Sequence, residues 1–338
     1  MSGRGCGAVI AAGMLFLTGC RGMATAEGDA PGTEISDIVP AEMTAGASGQ
    51  ENSGFPAETE RRTPEDIPGT ERADDGLRET GGETLRFVDV HGQEYEARIL
   101  PDAARHPYRK DAFVRSGNRL TYTGDGRFTC RYGVDVSYHQ GEIDWQAVKA
   151  DGIDFAFLRI GYRGYGEGTL NTDAQFFRNI EGAQAAGLDV GVYFFSQAVS
   201  REEARGEAEF VLDNLAGYAL QLPVVYDPEQ IEGVRTRADD LTGSQITENT
   251  ICFCERIREA GYEAMVYSNM LWEAFVFDMA RLSEYPFWYA DYEEQPQTPY
   301  RFEFWQYSNE GSIAGIDGPV DLNVWMVPAD GYGAADGG

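Results

Sequence analysis

Leu222-Pro223-Val224-Val225-Tyr226-Asp227-Pro228-Glu229 is a short apolar run that ends abruptly in two carboxylates. Val224, Val225 and Tyr226 suit a strand buried on both faces, and Pro223 and Pro228 bound it. Acids at the C-terminal end of a buried parallel strand stand where open α/β sheets and α/β barrels carry their chemistry. Asp227 and Glu229 are two apart, so an extended backbone projects both to one side, roughly 6–7 Å from each other. Two carboxyls facing one cleft can be driven to different pKa values, one serving as acid and one as base or anion, as hydrolysis of a glycosidic bond requires. In isolation, such a triplet in a chain with 56 acidic residues reads as a solvated loop. The flanking elements change that weighting.

Upstream of this run, Gly133–Val136, Phe155–Gly161 and Val190–Phe195 read as buried strands. Between them lie a short helix that Asp144 can cap and a helix opened by Asp173 with Phe176, Phe177, Ile180 and Ala183 on one face. A third helix follows, with Ser200 and Glu203 spaced as a capping box. Downstream, a helix from about Ser244 to Ala260 leads to the strand Ala264–Ser268. Beyond it Pro286–Ala290, Phe302–Tyr307 and Val320–Asn323 read as strands with little helix between them. The alternation predicts an α/β fold with a parallel sheet: an irregular TIM-like barrel of about eight strands, short of helices at its C-terminal end.

The chain before the barrel divides by composition. Arg4 followed by the apolar run Ala8 to Leu17 reads as a signal peptide, too short for the roughly 20 residues that a membrane-spanning helix needs. It ends in Leu17-Thr18-Gly19-Cys20, which resembles a bacterial lipobox; residues 1–20 are expected to be a lipoprotein signal peptide with Cys20 acylated. That implies an extracytoplasmic protein anchored to the cell membrane. Residues 21–84 are rich in Gly, Glu, Ala, Thr, Asp and Pro, poor in large apolar residues, and read as a disordered acidic linker. Residues 85–130 carry a hairpin signal, two alternating runs about His91-Gly92, and read as a small β appendage. Residues 131–328 form the barrel, and 329–338 a flexible tail.

A formal net charge of −29 argues against nucleic acid and anionic membrane surfaces as partners. Three histidines (His91, His106, His139) and five cysteines show no zinc spacing, and no G-x-S-x-G or phosphate-cradling loop stands out. No metal or cofactor is expected, and the chain is expected to be a monomer.

Tyr132-Gly133-Val134-Asp135-Val136-Ser137-Tyr138-His139-Gln140-Gly141 with Ile143-Asp144-Trp145 resembles the opening of glycoside hydrolase family 25, the Chalaropsis-type lysozymes. The resemblance runs in order through Phe157–Gly161, Ala186–Leu188 with Gly191–Ser196, and Leu222–Glu229. It closes with Trp288–Tyr292, Trp305–Ser308, Gly315–Gly318 and Val320–Asn323. It implies cleavage of the β-1,4 bond between N-acetylmuramic acid and N-acetylglucosamine in peptidoglycan. It implies Glu229 as general acid/base and Asp227 as the group that stabilises the acetamido group or oxocarbenium ion, or acts as nucleophile. Asp227, supplied with backbone donors, is expected to stay ionised. Asp135 and Asp291 match further active-site acids, and Asp321 an acid on the last strand. Tyr193, Tyr226, Tyr267 and Trp288 are candidate sugar-cleft rings or barrel packing, and Arg159 is a candidate substrate contact. Pro228 stands where the family usually has a large apolar residue. Two other readings of the pattern are a chitinase-like hydrolase, disfavoured by Val225 where those enzymes place an Asp, and a non-catalytic wall-binding lipoprotein. The sequence predicts that Cys20→Ala abolishes acyl labelling and leaves unprocessed or mislocalised protein; normal membrane retention of that variant would contradict the anchor.

Overall fold

The computed structural model describes residues 82–124, 126–231 and 234–329. The signal peptide with Cys20, the linker up to residue 81 and the tail from residue 330 lie outside the described residues. Strands β1 (Thr84–Val88) and β2 (Glu94–Arg98) form the expected antiparallel hairpin, its turn held by Asp89 Oδ1 accepting from the His91 and Gln93 amides at 2.9 Å. A second hairpin, β3 (Phe113–Ser116) with β4 (Arg119–Tyr122), follows. Strand β5 then runs Phe128–Val136 without a break, so the boundary expected between residues 130 and 131 falls inside a barrel strand.

From there the chain alternates: α1 (Trp145–Ala150), β6 (Phe155–Arg163), β7 (Leu170–Thr172), α2 (Phe176–Ala185), β8 (Asp189–Ser196), α3 (Arg201–Asn214), β9 (Val224–Pro228), α4 (Gly243–Glu259), β10 (Ala264–Asn269), α5 (Met270–Phe275), β11 (Phe287–Ala290), β12 (Phe304–Gly311), β13 (Val320–Pro328). Asp144, Ser200 and Thr242 cap α1, α3 and α4, each side chain accepting the amide two or three residues on. The N-cap of α2 is Gln175, not Asp173, whose Oδ1 accepts from the Gln175 amide at 2.9 Å while its Oδ2 binds Arg159. Eight strands close in the order β5-β6-β8-β9-β10-β11-β12-β13, with β13 returning to β5. Neighbours are parallel from β5 to β12, and β13 is antiparallel to both flanking strands.

Alternate residues of each strand face inward. The interior holds Phe155, Phe157, Val225, Met265, Trp288 and Phe304, while Ala156, Leu158, Val224, Tyr226 and Val266 join the outer core. Helices α2, α3 and α4 cover β6 to β10. On the helix-poor side the outward rings of β11 and β12 are covered by the N-terminal segment. Phe113 meets Trp305 edge-on at 5.2 Å, and Asn118 O accepts from the Tyr307 hydroxyl at 2.7 Å. The β appendage thus takes the place that a helix occupies elsewhere around the barrel.

Gly191 admits the Phe157 ring to the barrel axis: a Cβ there would lie 2.4 Å from that ring and 2.8 Å from Pro223 O. Gly191→Ala is expected to lower stability by about 1–3 kcal/mol through overpacking, measured by denaturant unfolding. An unchanged midpoint would mean that the ring and strand relax freely.

Candidate active site

The C-terminal ends of β5 and β9 and the N-terminal end of the antiparallel β13 bring Asp135, Asp227, Glu229 and Asp321 to one cleft. Inward alternation on β9 runs Val225, Asp227, Glu229, so Pro228 falls on the other parity and leaves both acids in the cleft. Its missing N–H lies at the last position of the strand, opposite Ser196. Gln197 Nε2 donates to Glu229 O at 2.7 Å and fixes the backbone just past it.

Asp135 has the most donors of the four. Gln306 Nε2 and Asn323 Nδ2 reach its Oδ2 at 2.9 and 2.8 Å, and Asp321, its register partner on β13, bonds to it as well. Burial raises its pKa while those bonds pull it back. Asp321 lies well above the ordinary carboxylate range through burial and the neighbouring Asp135, which makes it the proton-bearing partner of that pair.

Asp227 departs from expectation. It is buried, and among the described residues its Oδ1 has no hydrogen-bond partner and no backbone donor supports it. Burial first, then the charges of Glu229 and Asp135, push its carboxyl well above the usual range, and Arg159 draws it back only in part. Glu229 is partly exposed, and desolvation by the cleft walls with the Asp135 charge pushes it up to about 7 against a bond from Tyr267. Four carboxyls in one cleft cannot all ionise, and desolvation is the leading cause for each.

The walls are aromatic and polar. Trp288 forms the floor, stacked on Phe157 at 4.7 Å and donating through Nε1 to Asn323 Oδ1 at 2.8 Å. Tyr193 and Tyr267 meet it edge-on at 5.9 and 4.9 Å. The Tyr267 hydroxyl sits between Gln306 Oε1, at 2.9 Å, and the Glu229 carboxyl. Arg159 lines the cleft; Nε holds Asp173 at 2.8 Å, whereas its buried Nη2 has no partner among the described residues. Tyr138 packs on both His139 and the Arg159 guanidinium.

Two expected site residues lie elsewhere. Tyr226 faces outward, its hydroxyl bonded to Ser196 Oγ at 2.8 Å and its ring against Phe253. Asp291 does not line the cleft: its carboxylate accepts from Tyr289 OH at 2.7 Å, Gln297 N at 2.9 Å and Glu293 N at 3.1 Å. Both corrections follow from alternation, since Val225 and Trp288 set the inward parity of β9 and β11. The cleft also gains Gln306, Tyr292 and His139, to which sequence reading gave no role. For Gln306 the signal was present: it is two residues after inward-facing Phe304.

Residues 134–316 match the family described as Glycosyl hydrolases family 25. The chain is 27% identical over 194 residues to the autolytic lysozyme of Clostridium acetobutylicum, covering 56% of this chain and 54% of that protein. It is 30% identical over 203 residues to lysozyme M1 of Streptomyces globisporus, covering 56% and 66%. The matched region therefore spans about half the length of the first relative and just under two thirds of the second. Among solved structures, the modular autolysin LytC of Streptococcus pneumoniae shares the fold with a TM-score of 0.53 at 23% identity, over 71% of this chain and 56% of that one.

Because the Tyr267 bond favours ionised Glu229, Tyr267→Phe is expected to move the Glu229 pKa above about 7. A carboxyl carbon NMR titration reads this directly, and an unmoved or lowered value would count against the contact.

Proposed function

The chain belongs to glycosyl hydrolases family 25, and from that premise we propose that it is a lysozyme-type muramidase. Its substrate is the β-1,4 bond between N-acetylmuramic acid and N-acetylglucosamine in peptidoglycan. The observation that carries this reading is the pair on one strand face: Glu229 with its pKa near 7, and Asp227 with a buried oxygen that has no donor among the described residues.

Departure of a sugar alkoxide needs a proton. Glu229 retains one near neutral pH and is open enough to deliver it, so it acts as general acid and then, deprotonated, as base toward water. Asp227 Oδ1 is an acceptor left for the substrate. An acetamido N–H fits it, and Arg159 Nη2 is an unpaired donor suited to the amide oxygen. A bond donated to Asp227 favours its charged form, which then stabilises the oxocarbenium-like transition state, directly or through the acetamido oxygen. Asp135, held by Gln306 and Asn323, lies in the same cleft. Tyr193, Tyr267 and Trp288 offer ring surface to the apolar faces of the sugars.

The N-terminal lipobox-like sequence supports a place for this activity outside the cytoplasmic membrane, anchored through Cys20 with the acidic linker as tether.

Glu229→Gln keeps shape and removes the proton source; turnover on purified wall or soluble glycan is expected to fall roughly 10²–10⁴-fold with affinity nearly kept. Asp227→Asn is expected to be comparably damaging. Wild-type turnover should decline above about pH 7 as Glu229 loses its proton, and products should end in reducing N-acetylmuramic acid. Retention of more than about a tenth of turnover in Glu229→Gln would remove the general-acid assignment, and reducing N-acetylglucosamine ends would point to another bond.

A further inference from the structure

Residues 82–124 have no part in the chemistry above, yet they bind one stretch of the barrel at repeated points. That stretch is residues 291–303, which joins β11 to β12 at the cleft rim. The Val88 N–H donates to Gln297 Oε1 at 2.8 Å, and the Val88 carbonyl accepts from Gln297 Nε2 at 2.9 Å. Lys110 Nζ donates to Gln297 O at 3.0 Å, Tyr108 OH to Phe302 O at 2.9 Å, and the Leu100 N–H to Tyr300 OH at 3.1 Å. His106 Nε2 lies 3.1 Å from Thr298 O. A rim segment outside the sheet stays ordered only where such ties satisfy its backbone groups.

Gln297 is the joint. Besides Val88 it holds Asp291, its amide reaching Oδ2 at 2.9 Å and its Nε2 approaching Oδ1 at 3.3 Å. The next residue, Tyr292, lines the cleft, and its hydroxyl donates to Gln306 Oε1 at 3.1 Å. Gln306 in turn donates to Asp135. The path from β1 to a catalytic-site carboxyl thus runs Val88, Gln297, Asp291, Tyr292, Gln306, Asp135.

We infer that residues 82–124 are a built-in brace for the glycan cleft, fixing Tyr292 as one wall through the Val88–Gln297–Asp291 link, with Asp291 and Gln297 as positioning residues. The inference rests on the reading of this cleft as the glycan site. A wall held in place before the substrate arrives spares binding the cost of ordering it. Loss of the link therefore appears in affinity and leaves the proton-transfer groups unchanged.

The test uses the full chain with a soluble tetrasaccharide of alternating N-acetylglucosamine and N-acetylmuramic acid. Gln297→Ala removes the joint. Val88→Pro removes the donor to Gln297 without breaking a rung of the β1–β2 ladder. Each is expected to raise KM about threefold to tenfold, the cost of ordering one side chain and its loop. The kcat should stay within about twofold and its pH profile unmoved. The double variant should raise KM no further than the larger single effect, since both break one link. Unchanged KM in both singles, or kcat and KM worsening together with a falling Tm, would overturn the brace. If wild type shows no turnover, the muramidase reading fails. The brace is then decided by calorimetric Kd for the same tetrasaccharide: weakening in both variants upholds it, and equal binding overturns it.

Discussion

The pleat of a closed barrel is the constraint on which this molecule depends. A strand residue faces either the axis or the outer shell, and its neighbours in sequence face the opposite way. Val225, Met265, Trp288 and Phe304 fix the inward set on four strands, and on three of them the polar residue two positions further along falls into the cleft by the same parity. Asp227 follows Val225, Tyr267 follows Met265, and Gln306 follows Phe304. Gly191 and Gly133 belong to this set too, small so that the Phe157 and Phe155 rings can fill the axis below the site. The floor of the cleft is therefore the top of the barrel core, and its rigidity is that of close packing.

Putting acids on several strand ends of one barrel sums their desolvation and their repulsion. Each of Asp135, Asp227, Glu229 and Asp321 is raised, and what distinguishes them is the supply of donors. Asp135 has two amide donors, Glu229 has Tyr267, and Asp227 has an oxygen with none. A buried acceptor without a donor costs stability unless a ligand supplies one. Among the described residues none completes the hydrogen bonding at Asp227, which leaves an acceptor open within the cleft.

The barrel is unevenly clad. Helices shield β6 to β10, whereas β11 and β12 rely on a segment from before the barrel. The same packing that buries Trp305 and Tyr307 ties down the rim between these strands, so a solution to a burial problem also shapes the cleft. Asp291 belongs to this clamp; its position one residue past Ala290 gives it the outward parity and hands the cleft to Tyr292.

Much of this was legible in the residues. Run length and β-branched content marked the barrel strands, capping residues marked the starts of α1 and α3, and the two-residue spacing of Asp227 and Glu229 placed them on one face. Alternation also carried the information that Tyr226 and Asp291 face away, because parity is local and needs only one inward neighbour as reference. Contacts between distant residues were not legible. Gln297 is 209 positions from Val88, Asn323 is 188 from Asp135, and nothing in either local sequence specifies the partner. Nor was the protonation of the acids: expecting Asp227 to stay ionised relied on its own strand, whereas its surroundings come from β5, β6 and the residue after β9. Sequence alone determined which side chains face the axis, since the pleat is a property of each strand. Tertiary structure decided which of them meet and which keep their protons, since desolvation and charge are sums over groups that only closure of the barrel brings together.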